Sequence, residues 1–131
     1  MIVVDTSALV VYLLRKPDAD AISMALASED RVVIGAPTLF ELRLVMLKRI
    51  GVESIARIDA LLARMSIEVL PFEAAHSALA FEALSRFGKA PAKLNYGDCM
   101  CYAVAKALDA RLLFKGLDFA ATDLSAVALD A

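Results

Sequence analysis

The chain has no tryptophan, a single histidine and only two cysteines among its 131 residues. Each scarcity removes a chemistry. His76 lies inside a stretch read as a helix over residues 72–87, so a Ser-His-Asp triad would have to draw on a residue better explained by packing. No Gly-x-Ser-x-Gly elbow is present to expose a serine nucleophile. Neither common Gly-rich phosphate loop is present, which argues against P-loop and dinucleotide binding. A phosphotransfer enzyme using Asp5 would want a second Asp where Ser7 stands. A receiver domain would want one after the third strand, where Leu70 and Pro71 stand. Cys99 and Cys101 point in different directions on a helix, so a mutual disulfide is not expected and a structural role is. The longest N-terminal apolar stretch, Ala8 to Leu14, is far short of the about 20 residues a membrane span needs. The start, Met-Ile-Val-Val-Asp, lacks a basic segment, so no secretion signal is expected and the location reads as cytoplasmic. Without repeats, low complexity or a linker, residues 1–131 read as one domain.

What is abundant is apolar surface. Apolar residues make up 60% of the chain, against a usual roughly 45–50%. A domain this small cannot bury all of that, which implies an apolar interface with another chain, although many of these residues are Ala. The net charge of −2 argues against broad nucleic-acid binding while allowing a local basic rim.

Hydrophobic periodicity and turn chemistry predict strands at residues 2–4, 31–34, 67–70 and 111–114, with a fifth over 125–129. Helices are predicted from Thr6 to about Leu14, from Pro17 to about Ser28, from Thr38 to Ile50, over 53–65, over 72–87 and over 95–109. Strands alternating with helices imply an α/β fold with parallel pairing. In such sheets ligands bind outside the carboxyl ends of the strands. Asp5 and Asp118 follow the first and fourth strands. Glu41 is expected in the first turn after the second strand, and Asp98 in the first turn of a helix that leads into a parallel strand. Topology therefore sends four carboxylates to one edge.

Each acid also has a duller explanation. Thr38-x-x-Glu41 and Asn95-x-x-Asp98 both fit capping boxes, and Asp118 fits a turn. Asp5, closing an apolar strand, is poorly explained by packing. Together, clustered carboxylates call for a cation, and hard oxygen ligands suit Mg²⁺ or Mn²⁺. Such an ion lowers the pKa of water and neutralises charge on a phosphodiester. A further carboxylate can orient or deprotonate that water.

Four segments in this order resemble a PIN-domain ribonuclease of the VapC toxin type, over nearly the full length. They are Val-Val-Asp5-Thr6-Ser7-Ala8-Leu9, Thr38-Leu-Phe-Glu41-Leu, Leu94-Asn95-Tyr96-Gly97-Asp98-Cys99 and Leu113-Phe114-Lys115-Gly116-Leu117-Asp118-Phe119. The resemblance implies a three-layer α/β/α fold with a central, mostly parallel sheet. It implies RNA cleavage by water, dependent on Mg²⁺ or Mn²⁺, with Asp5 and Asp98 as principal metal ligands and Glu41 and Asp118 completing the acidic pocket. Thr6, Ser7 and Asn95 would surround the carboxylates, and Asp123 would assist or simply cap a turn. The resemblance further implies a homodimer and a VapB-type antitoxin that blocks the site. Two features of the residues agree. The 38–50 helix is apolar almost all round, which suits contact with another chain. Arg15, Lys16, Arg43, Lys89, Lys93 and Lys115 are expected near the acidic edge, where they would hold RNA phosphates. Two alternatives stay open: a PIN-like RNA-processing or flap nuclease with no toxin role, and a catalytically inactive binding module.

Overall fold

The computed structural model describes residues 1–129. In chain order the elements are β1 (Ile2–Val4), α1 (Thr6–Leu13), α2 (Ala19–Ala27), β2 (Val32–Gly35), α3 (Ala36–Arg49), α4 (Ser54–Arg64), β3 (Ile67–Leu70), α5 (Ala74–Phe87), α6 (Tyr96–Leu108) and β4 (Arg111–Leu113). The strands form a sheet in the order β3-β2-β1-β4, parallel throughout, with Val3 opposite both Val33 and Leu112.

The two faces of the sheet bury separate clusters. Ile2, Val4, Val32, Ile34 and Leu113 pack with apolar residues of α1 to α4, including Leu9, Ile22, Leu42 and Ile58. Val3, Val33 and Leu112 point the other way, onto α5 and α6 through Ala83, Tyr102 and Val104. This alternation is the period of two expected of strands, and both faces being covered explains the near-continuous Val/Ile runs. Helices on both faces give the three layers. No described helix is long and apolar enough to cross a membrane.

Three expectations need correction. The strand expected over 125–129 is reduced to one parallel bridge, Leu112 with Ala126. Among the described residues only two backbone hydrogen bonds join this segment to β4, Leu112 N to Ser125 O and Val127 N to Leu112 O. β4 ends at Leu113, so the ladder has nothing further to pair with. The third helix begins at Ala36 rather than Thr38, because Pro37 is already in the first turn, where its missing N–H costs nothing. The fifth helix begins at Ala74 rather than Phe72. Glu73 caps it, and its amide donates to His76 Nδ1 at 2.9 Å. His76 stacks on Phe72 and lies in the first turn of α5 rather than in its middle.

Candidate metal and nucleic-acid site

Asp5 stands one residue past β1 and is the N-cap of α1. Its Oδ2 accepts from the Ser7 amide at 3.0 Å and from the Ser7 hydroxyl at 2.6 Å. The same hydroxyl accepts from the Lys115 amide at 2.9 Å, which ties the chain after β4 to the start of α1. Ser7 thus orients Asp5 and fastens β1 to β4 at their carboxyl ends.

Glu41 lies in the second turn of α3, not the first, as a consequence of the earlier helix start. The capping box expected at Thr38 is therefore absent: α3 has Gly35 at its N-cap and no side-chain cap. Glu41 is held across the helix interface. The Thr6 hydroxyl donates to its Oε1 at 2.6 Å, with the Thr38 carbonyl as a weaker shared acceptor at 3.2 Å. Its other oxygen rests against Gly97. A Cβ at Gly97 would lie 2.1 Å from Oε2, so no side chain fits there while Glu41 keeps its place. Gly97 stands in one of the family-like segments without being among the residues the resemblance assigns to the site. The available signal was a glycine inside a first helical turn, where alanine is ordinarily the better residue. Gly97→Ala is expected to keep or slightly raise thermal stability and to lower activity about tenfold. A melting curve beside a cleavage assay would check this, and an unchanged rate would remove Glu41's placement from consideration.

Asp98 sits at N3 of α6, and here the capping box does form. Its amide donates to Asn95 Oδ1 at 2.8 Å, and its Oδ2 accepts from the Asn95 amide at 3.0 Å. Capping does not account for the whole group. Asp98 is buried, and its carboxyl is pushed up to about 6, first by desolvation and then by the charges of Asp5, Asp118 and Glu41, against the lowering effect of the Asn95 amide. The elements send these groups toward one edge of the sheet: Asp5 follows β1, Asp118 follows β4, and Glu41 and Asp98 lie in the opening turns of α3 and α6. Asp118 differs from the others in being exposed, on the turn after β4.

Asp5, Glu41 and Asp98 share one pattern. Each is anchored through one oxygen, and the other has no N–H or O–H partner among the described residues. No three such side chains among the described residues are gathered closely enough to hold an ion by themselves. Glu41 is turned toward Thr6, and Asp118 stands out on its loop. The donor set is nonetheless hard, anionic and short of positive charge. It suits a cation that keeps several of its waters and takes only one or two carboxylates, as Mg²⁺ does. It does not suit a closed structural site for a softer metal. Cys99 and Cys101 are buried free thiols. Burial pushes both up, and the charge of a neighbouring carboxylate adds to it, so neither is a ready thiolate ligand.

Asp123 does not join this group. It accepts from Tyr102 Oη at 2.7 Å, Lys106 Nζ at 2.8 Å and Arg86 Nη1 at 3.3 Å. Tyr102 and Lys106 lie one and two turns along α6 from Asp98, away from its N-terminus. Lys106 and Tyr102 hold the Asp123 carboxyl below its ordinary value despite some desolvation. Asp123 is neither a pocket residue nor a turn cap. With Phe119, which is buried and packed edge-on to Phe114, it pins the segment that carries Asp118. The basic rim is also thinner than expected. Arg43 pairs with Asp59 of α4 at 3.0 Å, and the Lys115 ammonium pairs with Asp18. Lys89 and Lys93 are exposed on the loop before α6, and Arg15 and Lys16 on the loop after α1.

The PIN domain family model matches residues 2–124. A ribonuclease VapC of Mycolicibacterium smegmatis is 38% identical over 127 residues, 95% of this chain and 98% of its own length. Ribonuclease VapC30 of Mycobacterium tuberculosis is 36% identical over 129 residues, 97% of this chain and 98% of its own. Among solved structures, Mycobacterium tuberculosis VapC20, described as a toxin that cleaves the sarcin–ricin loop, superposes with a TM-score of 0.80 at 20% identity, covering 97% of this chain and 98% of that one. VapBC2 of Rickettsia felis, solved with a DNA fragment from its promoter, gives 0.78 at 22% identity and covers 99% of this chain and 100% of that one.

Proposed function

The chain belongs to the PIN-domain family, among its VapC ribonucleases, and on that footing we propose that it is a metal-dependent endoribonuclease, the toxin of a toxin–antitoxin pair. What supports the site assignment is where the four acids stand: Asp5 just past β1, Asp118 after β4, and Glu41 and the buried Asp98 in the opening turns of α3 and α6. Asp5 and Asp98 are the proposed ligands of Mg²⁺ or Mn²⁺, and Glu41 and Asp118 complete the pocket. The bound cation would neutralise charge on the scissile phosphodiester and acidify the attacking water.

The chain's own residues do the rest. Ser7 and Asn95 fix the Asp5 and Asp98 carboxylates, so little reorganisation is needed when RNA arrives. Thr6 holds Glu41, which is placed to orient or deprotonate the water. Purified, antitoxin-free protein is expected to cleave RNA with Mg²⁺ or Mn²⁺ and to stop when EDTA is added. Cleavage that persists in EDTA would reject the metal-dependent reading.

The proposed partners follow from the surface and the family. α3 exposes Phe40, Leu44 and Leu47 at 71%, 44% and 48%, one stripe of a helix whose opposite side buries Leu42 and Met46. Such a stripe suits a second copy of the chain, and the proposed assembly is a homodimer. The family's pairing with VapB proteins supports a VapB-type antitoxin covering the carboxylate edge, in the cytoplasm where RNA is the substrate. Phe40→Glu combined with Leu44→Glu is expected to convert the dimer to a monomer by sedimentation. An unchanged mass would move the dimer interface elsewhere.

A further inference from the structure

We infer that the cavity between α1, α2 and α4 is a phosphate-binding subsite for single-stranded RNA flanking the cleavage site, an inference that rests on the nuclease reading above. The cavity, open to solvent, has a volume of about 680 Å³ and is lined by Arg15, Lys16, Arg57 and Arg64 against one carboxylate, Asp20. In a chain of net charge −2, this is a local concentration of the opposite sign. None of these four cations forms an ion pair among the described residues. Six of the 14 basic side chains pair with an acid across the described surface. Half of the remainder line this one cavity.

Two of its guanidiniums are ordered by neutral acceptors. Arg57 donates to the Leu13 carbonyl, and Arg64 donates to Tyr12 Oη at 2.9 Å. These bonds fix the planar forks without cancelling their charge, and a fixed guanidinium fork matches phosphate oxygens. Arg57 and Arg64 were missing from the sequence-derived rim because nothing in α4's periodicity shows that it faces the end of α1.

One short helix separates the cavity from Asp5. α1 starts directly after Asp5, so Tyr12 and Leu13 lie on the order of 10 Å from it at about 1.5 Å per helical residue. Asp18, just before α2, is held by the Lys115 side chain, whose own amide donates to Ser7 beside Asp5. The α1–α2 hairpin and the loop carrying Asp118 therefore form one braced unit. A polyanion brought to a cluster of carboxylates needs cations beside them, and this cavity supplies four.

Binding is best read on the Asp98→Asn protein, so that loss of binding and absence of cleavage are separate results. With fluorescein-labelled single-stranded RNA of mixed sequence, followed by anisotropy across a salt series, Arg15→Gln combined with Lys16→Gln is expected to weaken binding about tenfold. The slope of log affinity against log salt should flatten by about 0.7 per residue removed. Arg15 and Lys16 are both exposed on the loop after α1, so this variant removes charge without opening the core. Arg64→Gln provides an independent second test and should move the slope in the same direction. Unchanged affinity and slope in both variants would overturn the inference. So would RNA binding that is unaffected while an acidic peptide loses affinity, which would make the cavity a protein-docking surface. Tight orthophosphate binding with no effect on RNA would assign it to a free anion and overturn it as well.

Discussion

Asp5→Asn is expected to lower RNA cleavage by about 10²–10⁴-fold while leaving the fold intact. The two halves of this expectation have different physical sources. As the N-cap of α1, Asp5 accepts from the Ser7 amide and hydroxyl through Oδ2. Asparagine caps about as well as aspartate, and its side-chain oxygen can accept the same two bonds, so the melting temperature should move by no more than about 2 °C. The negative charge has no such substitute. Losing it removes a proposed cation ligand and relieves one of the charges that push the Asp98 carboxyl up. Single-turnover cleavage measured beside a thermal melt separates the two effects. A variant that cleaves at the wild-type rate removes Asp5 from the site.

Asp98→Asn is expected to abolish cleavage and, in EDTA, to make the protein more stable. The folded Asp98 carboxyl is raised to about 6 from an ordinary 3.8. A raised acid binds its proton more tightly in the folded state than in the unfolded chain. Its contribution to stability is fully present below about pH 4 and is lost as pH rises through about 6. At pH 7.5 the ionised, buried and metal-free carboxylate should destabilise the fold by about 1–3 kcal/mol. Asparagine keeps the acceptor for the Asn95 amide and discards the charge. The melting temperature in EDTA should therefore rise by about 3–10 °C at pH 7.5, and the difference should vanish near pH 4. Saturating Mg²⁺ should stabilise the wild-type protein and not the variant. If the variant melts at or below the wild-type temperature in EDTA at pH 7.5, the charge is already compensated and the proposed role of Asp98 fails.

The fold was legible in the chain because its strands are short and bounded by strong signals, and the two central ones, β1 and β2, are buried throughout. Ile2-Val3-Val4 ends at Asp5 and Ile67 to Leu70 ends at Pro71, and runs so short with such stops favour strands over helices. Errors arose where a local rule competed with another. Thr38-x-x-Glu41 looked like a capping box, but Pro37 started the helix earlier and moved Glu41 a turn inward. Asn95-x-x-Asp98 had the same form and did cap its helix, so the motif alone could not separate the two. The segment over 125–129 had strand-forming residues but only Leu112 to pair with.

By itself the sequence determined which carboxylates reach the sheet edge. Direction along a parallel α/β unit follows from chain order: a residue just past a strand, or in the first turns of a helix that follows or precedes one, has nowhere else to go. Tertiary structure alone decided what each side chain meets there. That Thr6 holds Glu41, that Gly97 makes room for it, and that Ser7 braces Asp5 against the chain after β4 all depend on contacts between segments far apart in sequence. The same holds for Asp123, which the family resemblance offered to the pocket and which Tyr102, Lys106 and Arg86 captured instead. Short-range rules set where an element starts and which way it runs, whereas a carboxylate's partner is set by which side chains distant segments bring within about 3 Å.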